Sequence, residues 1–103
     1  MMELITAEEL EAFRKMQRLY LRRGRRAFSE EEFAAYRRAM GRVREFIRML
    51  DSEAADEEAD VVYWYYYKSY TAEAVGMHIF FSERKVRRIR RRVLDALRRA
   101  RTR

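Results

Sequence analysis

Residues 71–98 read TAEAVGMHIFFSERKVRRIRRRVLDALR, and this stretch decides the fold. Thr71 and Ser82 each precede apolar residues at helical spacing, and Thr and Ser are preferred caps of helix N-termini. The pattern predicts a short helix after Thr71 and a long helix after Ser82, joined by about three residues around Phe80 and Phe81. The apolar stripe of the long helix consists of Val86, Ile89, Val93 and Leu97. Two capped helices with so short a connection form a helix-turn-helix.

Gly76 lies within the short helix, between the apolar residues Val75 and Ile79. In a helix-turn-helix the two helices must cross closely near this point. A glycine allows such an approach because it has no Cβ. We therefore expect position 76 to tolerate no large side chain.

The side of the long helix that lies away from its apolar stripe is strongly basic. A helix that enters the major groove presents its N-terminal half to base edges, where Arg binds guanine in bidentate fashion and Glu accepts from cytosine N4. We expect base contacts from Glu83, Arg84, Arg87, Arg88 and Arg91. Lys85, Arg90 and Arg92 flank this face and suit phosphates. The predicted DNA-binding set, with a recognition helix near 82–92, is Thr71, Ser82, Glu83, Arg84, Lys85, Arg87, Arg88, Arg91 and Arg92.

This stretch resembles region four of bacterial sigma factors, the region that binds promoters. Val75-Gly76 stands at the family's Val/Ile-Ala/Gly pair, and Ser82 stands at its Ser/Thr cap. The other matching positions are Thr71 and Glu73 at the helix start, Val86-Arg87 and Ile89 in "I-R-x-I", and Leu94 and Leu97 in the trailing "A-L-x-x-L". With the preceding YYYKSY (65–70), the stretch is also similar to small regulators of phages and mobile elements, including late-gene activators of the RinA/ArpU type.

The resemblance implies a DNA-binding transcriptional regulator that acts near a promoter, with double-stranded DNA and RNA polymerase as partners. Two positions depart from the family pattern. Phe80 replaces the small or polar turn residue, so we expect the turn to be strained or more buried there. Val93 replaces the small residue before Leu94.

The distribution of charge supports a polyanionic partner. Residues 1–60 hold 12 basic and 14 acidic side chains, whereas residues 61–103 hold 12 basic and 3 acidic ones. A net positive charge concentrated in one half is typical of nucleic-acid binding. A merely solvated basic face is the alternative. A GC-rich coding bias would explain 21 Arg against 3 Lys, but not the concentration of charge at one end. We expect the tail, residues 98–103, to contact phosphates nonspecifically.

The composition favours helices with short connections. The chain has 103 residues, three glycines, no proline and no cysteine. Sheets and long loops usually need more turn residues. We predict an all-α protein of about five helices, with residues 1–56 as a helical support or oligomerisation segment and residues 57–103 as the DNA-binding domain. The lack of cysteine excludes disulfides, thiolate nucleophiles and Cys-rich zinc sites.

Two capping boxes mark helix starts in the N-terminal half, Thr6 with Glu9 and Ser29 with Glu32. The first helix ends near Gly24, within the connection RRGRR (22–26), and the second spans about residues 29–50. The apolar stripes are Leu10, Phe13, Met16 and Tyr20 in the first helix, and Phe33, Tyr36, Met40, Val43, Ile47 and Leu50 in the second. The second stripe suits either the core of a bundle within one chain or the seam of a homodimer.

Residues 51–60, DSEAADEEAD, carry six acids and no base. They suit a connection or the first turn of the next helix, where carboxylates complement the helix dipole. Their spacing matches no EF-hand loop, so we predict no metal site.

The aromatic run YWYYYKSY, residues 63–70, has three interpretations: a stacking platform for single-stranded nucleic acid, a membrane-interface patch, or a scaffold helix. No partner strand exists for a sheet, and we expect a helix over about 57–69 with Val62, Tyr66 and Ser69 on one side. The scaffold interpretation fits this pattern best. Tyr66, Tyr67 or Tyr70 could still reach a phosphate.

The sequence shows no arrangement typical of catalysis. There are no paired carboxylates in an apolar setting, no nucleophile with a base partner and no Gly-rich phosphate loop. His78, the only histidine, is expected at the surface. We predict a cytoplasmic protein that is not an enzyme, uses no cofactor and does not bind membranes. Two alternatives to a regulator remain: a small terminase-like DNA-packaging subunit, and a sigma-mimic adaptor that binds a protein.

Overall fold

The computed structural model describes residues 4–101 of the chain. In that range five α-helices, one 3-10 turn and one π-helical segment follow one another, without a strand. Their bounds are α1 Ala7–Arg23, the 3-10 turn Gly24–Ala27, α2 Glu30–Ser52, α3 Asp56–Val61, the π segment Val62–Tyr67, α4 Ala72–Ile79 and α5 Glu83–Arg101. The predicted all-α fold of about five helices is confirmed.

Both predicted capping boxes are formed. The Thr6 hydroxyl accepts a hydrogen bond of 3.1 Å from the Glu9 amide, and the Glu9 carboxylate accepts one of 3.0 Å from the Thr6 amide. Ser29 and Glu32 repeat this exchange at 3.1 and 2.7 Å. Each pair satisfies two donors that a helix start leaves without an intrahelical partner, which is why α1 and α2 begin where the sequence predicted.

The centre of the N-terminal half is a cluster of aromatic rings around Tyr36. Its ring lies 5.8 Å from Phe13, 5.1 Å from Tyr20 and 5.4 Å from Phe28, in stacked arrangements. Such ring pairs add to the free energy of apolar burial. The stripe of α2 is therefore used within the chain, with Tyr36, Val43 and Leu50 buried in the core. Of the two uses that the sequence left open, the bundle core is the one observed.

One hydrophobic core extends through the whole described chain. Phe13 of α1 and Tyr36 of α2 belong to the same cluster of buried residues as Val62, Tyr66 and Ile89 of the later elements. The core thus continues across residue 56, and the division into a support segment and a DNA-binding domain stays a prediction.

The acid-rich stretch contributes the first turn of α3, with Asp56, Glu57 and Glu58 in that turn. The helix expected over about 57–69 is α3 followed by the π segment. Val62 and Tyr66 are fully buried, as expected, whereas Ser69 lies beyond the helical part with a positive φ of 61°. The π-helical conformation of residues 62–67 was not predicted, because a single π-helical turn is too short to change the spacing of the apolar residues.

Side chains of α1 satisfy the carbonyl groups around the end of the π segment. Arg14 donates hydrogen bonds of 3.1 Å to the Tyr65 and Tyr70 carbonyls. Gln17, which is buried, donates one of 2.6 Å to the Tyr67 carbonyl. Carbonyl groups at a helix end otherwise lack partners, so these bonds hold the aromatic run against α1.

The approach of α4 to the start of α5 is very close at Gly76. A Cβ atom at this position would lie 2.3 Å from the Phe81 carbonyl oxygen, a backbone atom. The expectation that position 76 tolerates no large side chain is confirmed. The connection between α4 and α5 has three residues, 80–82, as predicted.

Candidate nucleic-acid interface

The candidate interface begins at the two hydroxyl caps. The Ser82 hydroxyl accepts a hydrogen bond of 3.1 Å from the Lys85 amide at the start of α5. The Thr71 hydroxyl accepts one of 3.1 Å from the Ala74 amide at the start of α4. Both residues are exposed. These caps fix the first turns of α4 and α5 and leave the hydroxyl groups at the surface.

The apolar stripe of α5 faces the core as predicted. Val86, Ile89, Val93 and Leu97 are all buried, together with Leu94. The stripe spans residues 86–97, about three helical turns, so it fixes the rotation of α5 about its own axis. This rotation decides which basic residues face solvent.

Arg90 is directed toward the protein. Its Nε donates a hydrogen bond of 3.0 Å to the Tyr66 hydroxyl, and its guanidinium forms an ion pair with Glu11 of α1. Burial alone would lower the pKa of Arg90, but attraction to Tyr66, Tyr65 and Glu11 raises it. The sequence placed Arg90 beside the DNA-facing side, whereas the structure uses it to join α5 to α1 and to the π segment.

Two further basic residues of α5 bind carboxylates of α3. Lys85 Nζ lies 2.9 Å from Glu57, and Arg92 lies 3.6 Å from Glu57 and 3.3 Å from Glu58. The hydrogen bond from Lys85 lowers the pKa of Glu57. A phosphate at Lys85 or Arg92 would have to compete with these carboxylates. The acid-rich stretch thus holds one flank of α5, a role that the sequence alone did not indicate.

Four other basic residues, all in the N-terminal half of α5, are exposed. We call them the arginine face, which consists of Arg84, Arg87, Arg88 and Arg91. Arg87 forms an exposed ion pair of 3.2 Å with Glu83, one helical turn before it. The side chains of the other three form no hydrogen bond or ion pair with the described side chains of residues 4–100. The structure therefore separates the basic residues at the start of α5 into the exposed arginine face and a tethered flank, which consists of Lys85, Arg90 and Arg92.

The turn before α5 carries an exposed apolar side chain that the sequence analysis did not expect there. Phe80 has a left-handed backbone conformation, with φ 61° and ψ 39°, and is 94% exposed. The sequence analysis expected this turn to be strained or more buried, and the strained turn is the outcome observed. Met77, one helical turn earlier, is 74% exposed.

The aromatic run packs against the helices that carry the interface. Trp64 stacks on His78 of α4, with ring centres 4.4 Å apart and planes 7° from parallel, and Tyr70 lies 5.0 Å from the same ring. Tyr66 contacts α5 through Arg90. These contacts favour the scaffold interpretation. His78 is at the surface, as expected.

The described part of the chain shows no group of three or more His, Asp and Glu residues that could hold a metal ion. Among the helices in residues 4–101, none combines the length and the apolar character that a membrane span requires.

Residues 102–103, the end of the tail expected to contact phosphates, lie outside the described range.

Comparisons with protein-family models, with curated proteins and with solved structures found no match. The resemblance to sigma region four therefore stays a prediction that depends on residues 71–98.

Proposed function

We propose that this protein is a transcriptional regulator that binds duplex DNA and reads the major groove with residues 82–92, the cap and the N-terminal half of α5. The observation that carries the proposal is the arginine face. Its side chains are exposed, while Lys85, Arg90 and Arg92 on the same helix are fixed to α1, α3 and the π segment.

The arginine face places like charges next to one another. Arg84 and Arg88 are one helical turn apart, and so are Arg87 and Arg91. Pairs of this kind destabilise a helix by a few tenths of a kcal/mol each. Beside a row of phosphates, attraction between arginine and phosphate would outweigh the repulsion between the arginines. Their binding would also release counterions from the DNA. Duplex DNA is therefore the partner that this arrangement fits best.

The position of these residues suits base recognition as well as phosphate binding. Arg84, Arg87 and Arg88 lie within the first two turns of α5, and recognition helices use that part to contact base edges. A bidentate Arg–guanine pair discriminates against other bases by about 1–3 kcal/mol. Because the opposite side of α5 is packed in the core, the helix can enter a groove as a rigid unit.

The regulatory role is supported by the resemblance of residues 71–98 to sigma region four. It implies action near a promoter, with RNA polymerase as a second partner, and an origin in a phage or mobile element. The close approach of α4 to Phe81 at Gly76 agrees with the close crossing expected of a helix-turn-helix.

The test is selection of preferred sites from random duplex DNA at about 0.15 M salt, where specific and nonspecific binding separate. We expect the natural protein to enrich a motif whose symmetry reports a monomer or a dimer. Arg87→Ala and Arg88→Ala should each relax discrimination at defined positions of that motif. Arg38→Ala, which removes an exposed arginine on α2, is the matched control and should leave the motif unchanged.

The proposal is overturned if no motif is enriched and binding disappears uniformly as salt rises. Equal losses for Arg38→Ala and Arg88→Ala would also contradict it, because binding would then depend on total charge and not on α5. Either result would favour a packaging subunit or a protein adaptor.

A further inference from the structure

Phe80 combines two unfavourable features at one position. Its backbone is left-handed, with φ 61°, a conformation that non-glycine residues adopt at a cost. Its ring is 94% exposed, so no packing inside the protein offsets that cost. Phe81, the next residue, shows the contrast: it is partly buried, and Lys85 Nζ lies 3.9 Å from its ring centre. The Phe80 amide bonds to the Gly76 carbonyl and ends α4, but the side chain gains no packing from this conformation. A strained residue whose side chain has no packing inside the protein is a candidate for a functional role.

Met77, three residues before Phe80, is a second exposed apolar side chain. Three large apolar side chains are exposed in the described range, and two of them, Met77 and Phe80, lie within four residues of each other. The third, Leu21, is near the end of α1. We call Met77 and Phe80 the turn patch. Exposed apolar residues that lie singly are common, so the feature of interest is that two of the three lie close together in the chain, at a strained turn.

The turn patch lies at the same end of α5 as the arginine face. Phe80 precedes the first residue of α5 by three positions, and Arg84 follows that residue by one. A partner that covers both surfaces must carry negative charge and, beside it, small apolar groups. Duplex DNA has this combination, since the thymine 5-methyl group projects into the major groove next to the phosphate backbone.

We infer that Phe80, supported by Met77, contacts thymine methyl groups in the major groove beside the bases bound by the arginine face. The inference rests on the proposed function, because it requires α5 to dock in that groove. The arginine face supplies charge and contacts to guanine, and the turn patch supplies a preference for thymine at an adjacent position.

The experiment compares two fluorescent duplexes that contain the selected site, one with thymine and one with deoxyuridine at every thymine position. This exchange removes only the 5-methyl groups. For the natural protein we expect the uridine duplex to bind about fourfold more weakly per contacted methyl. Phe80→Gly should bind the thymine duplex about tenfold more weakly and should no longer distinguish the two duplexes.

Phe80→Gly also serves as its own folding control. Glycine adopts a positive φ without strain, so the thermal midpoint of this variant should rise by roughly 4–8 °C while DNA affinity falls. Phe80→Asn, which also tolerates the left-handed conformation, should lose the same preference for thymine. Leu21→Ala is the matched control for loss of an exposed apolar side chain and should bind both duplexes as the natural protein does.

Distinct results separate failure of this inference from failure of the proposed function. If the natural protein selects a motif but binds thymine and uridine duplexes equally, the inference is wrong and the proposed function stands. If Phe80→Gly keeps full affinity but changes the sedimentation of the protein, the turn patch is a protein-binding surface and the inference is again overturned. If no duplex is selected and the arginine variants have no effect, both fail.

Discussion

The Nε atom of Arg90 donates a hydrogen bond of 3.0 Å to the hydroxyl of Tyr66. Tyr66 is fully buried, and Arg90 also pairs with Glu11, so α5, the π segment and α1 meet at one guanidinium group. Arg88, two residues earlier in α5, is exposed and has no such partner among the described side chains of residues 4–100. Neighbouring arginines of one helix are therefore used for different purposes, one for the fold and one for the surface.

This difference predicts that Arg90→Ala destabilises the protein, whereas Arg88→Ala leaves its stability almost unchanged. Arg90→Ala removes a hydrogen bond from a charged donor and leaves a buried hydroxyl with one partner fewer, so the free energy of unfolding should fall by about 1.5–3 kcal/mol. Arg88→Ala should change it by less than about 0.5 kcal/mol. Urea denaturation measures both. Equal effects on stability would contradict the assignment of the two residues.

The glycines of α4 and α2 form a second matched pair. Gly76→Ala places a Cβ atom 2.3 Å from the Phe81 carbonyl oxygen, so the backbone must shift and stability should fall by about 1–3 kcal/mol. Gly41 lies in the middle of α2 with no atom near its missing Cβ, so Gly41→Ala should raise stability by about 1 kcal/mol through helix propensity. Thermal and urea denaturation would report the opposite signs. A stabilising Gly76→Ala would show that α4 and α5 are farther apart.

Gln17 links three elements through one buried amide. It accepts a hydrogen bond from the Tyr36 hydroxyl and donates one of 2.6 Å to the Tyr67 carbonyl. Gln17→Leu leaves the buried Tyr36 hydroxyl and the partly buried Tyr67 carbonyl without this partner, and stability should fall by about 2–4 kcal/mol. In the background of Tyr36→Phe, which lacks the hydroxyl, Gln17→Leu should lower the free energy of unfolding by less. Additive effects in this double-mutant cycle would mean that the two residues do not interact.

Stability should fall in alkaline solution. Burial, followed by repulsion from Tyr20 and Tyr67, raises the pKa of Tyr36 from 10 to about 12. Because the folded-state pKa is raised, the unfolded chain loses this proton at a lower pH than the folded protein does. The contribution of Tyr36 to the free energy of unfolding is therefore complete below pH 10 and is lost as the pH rises to about 12. Urea denaturation between pH 9 and 12, with Tyr36→Phe for comparison, measures the loss. The variant should show a flatter curve over that interval; an unchanged slope would show that Tyr36 titrates normally in the folded protein.

Much of this protein is determined by local sequence. The starts of α1 and α2 follow from Thr6 and Ser29 with their Glu partners, and the orientation of α5 follows from the spacing of its apolar stripe. These features depend on residues within one or two turns of each other. Short-range hydrogen bonding and helical periodicity are enough to predict them.

Only the tertiary structure decided which basic residues of α5 are tied to other helices by ion pairs. Glu11, Glu57 and Glu58 are far from α5 in sequence, and their ion pairs with Arg90, Lys85 and Arg92 separate a tethered flank from the arginine face. Arg90 follows Val86 by four residues and precedes Val93 by three, so its place beside the apolar stripe was visible, but its partners were not. The exposure of Phe80 could not be predicted from the sequence, for the same reason. Which side chains are covered depends on how helices from distant parts of the chain pack, and no local pattern records that packing.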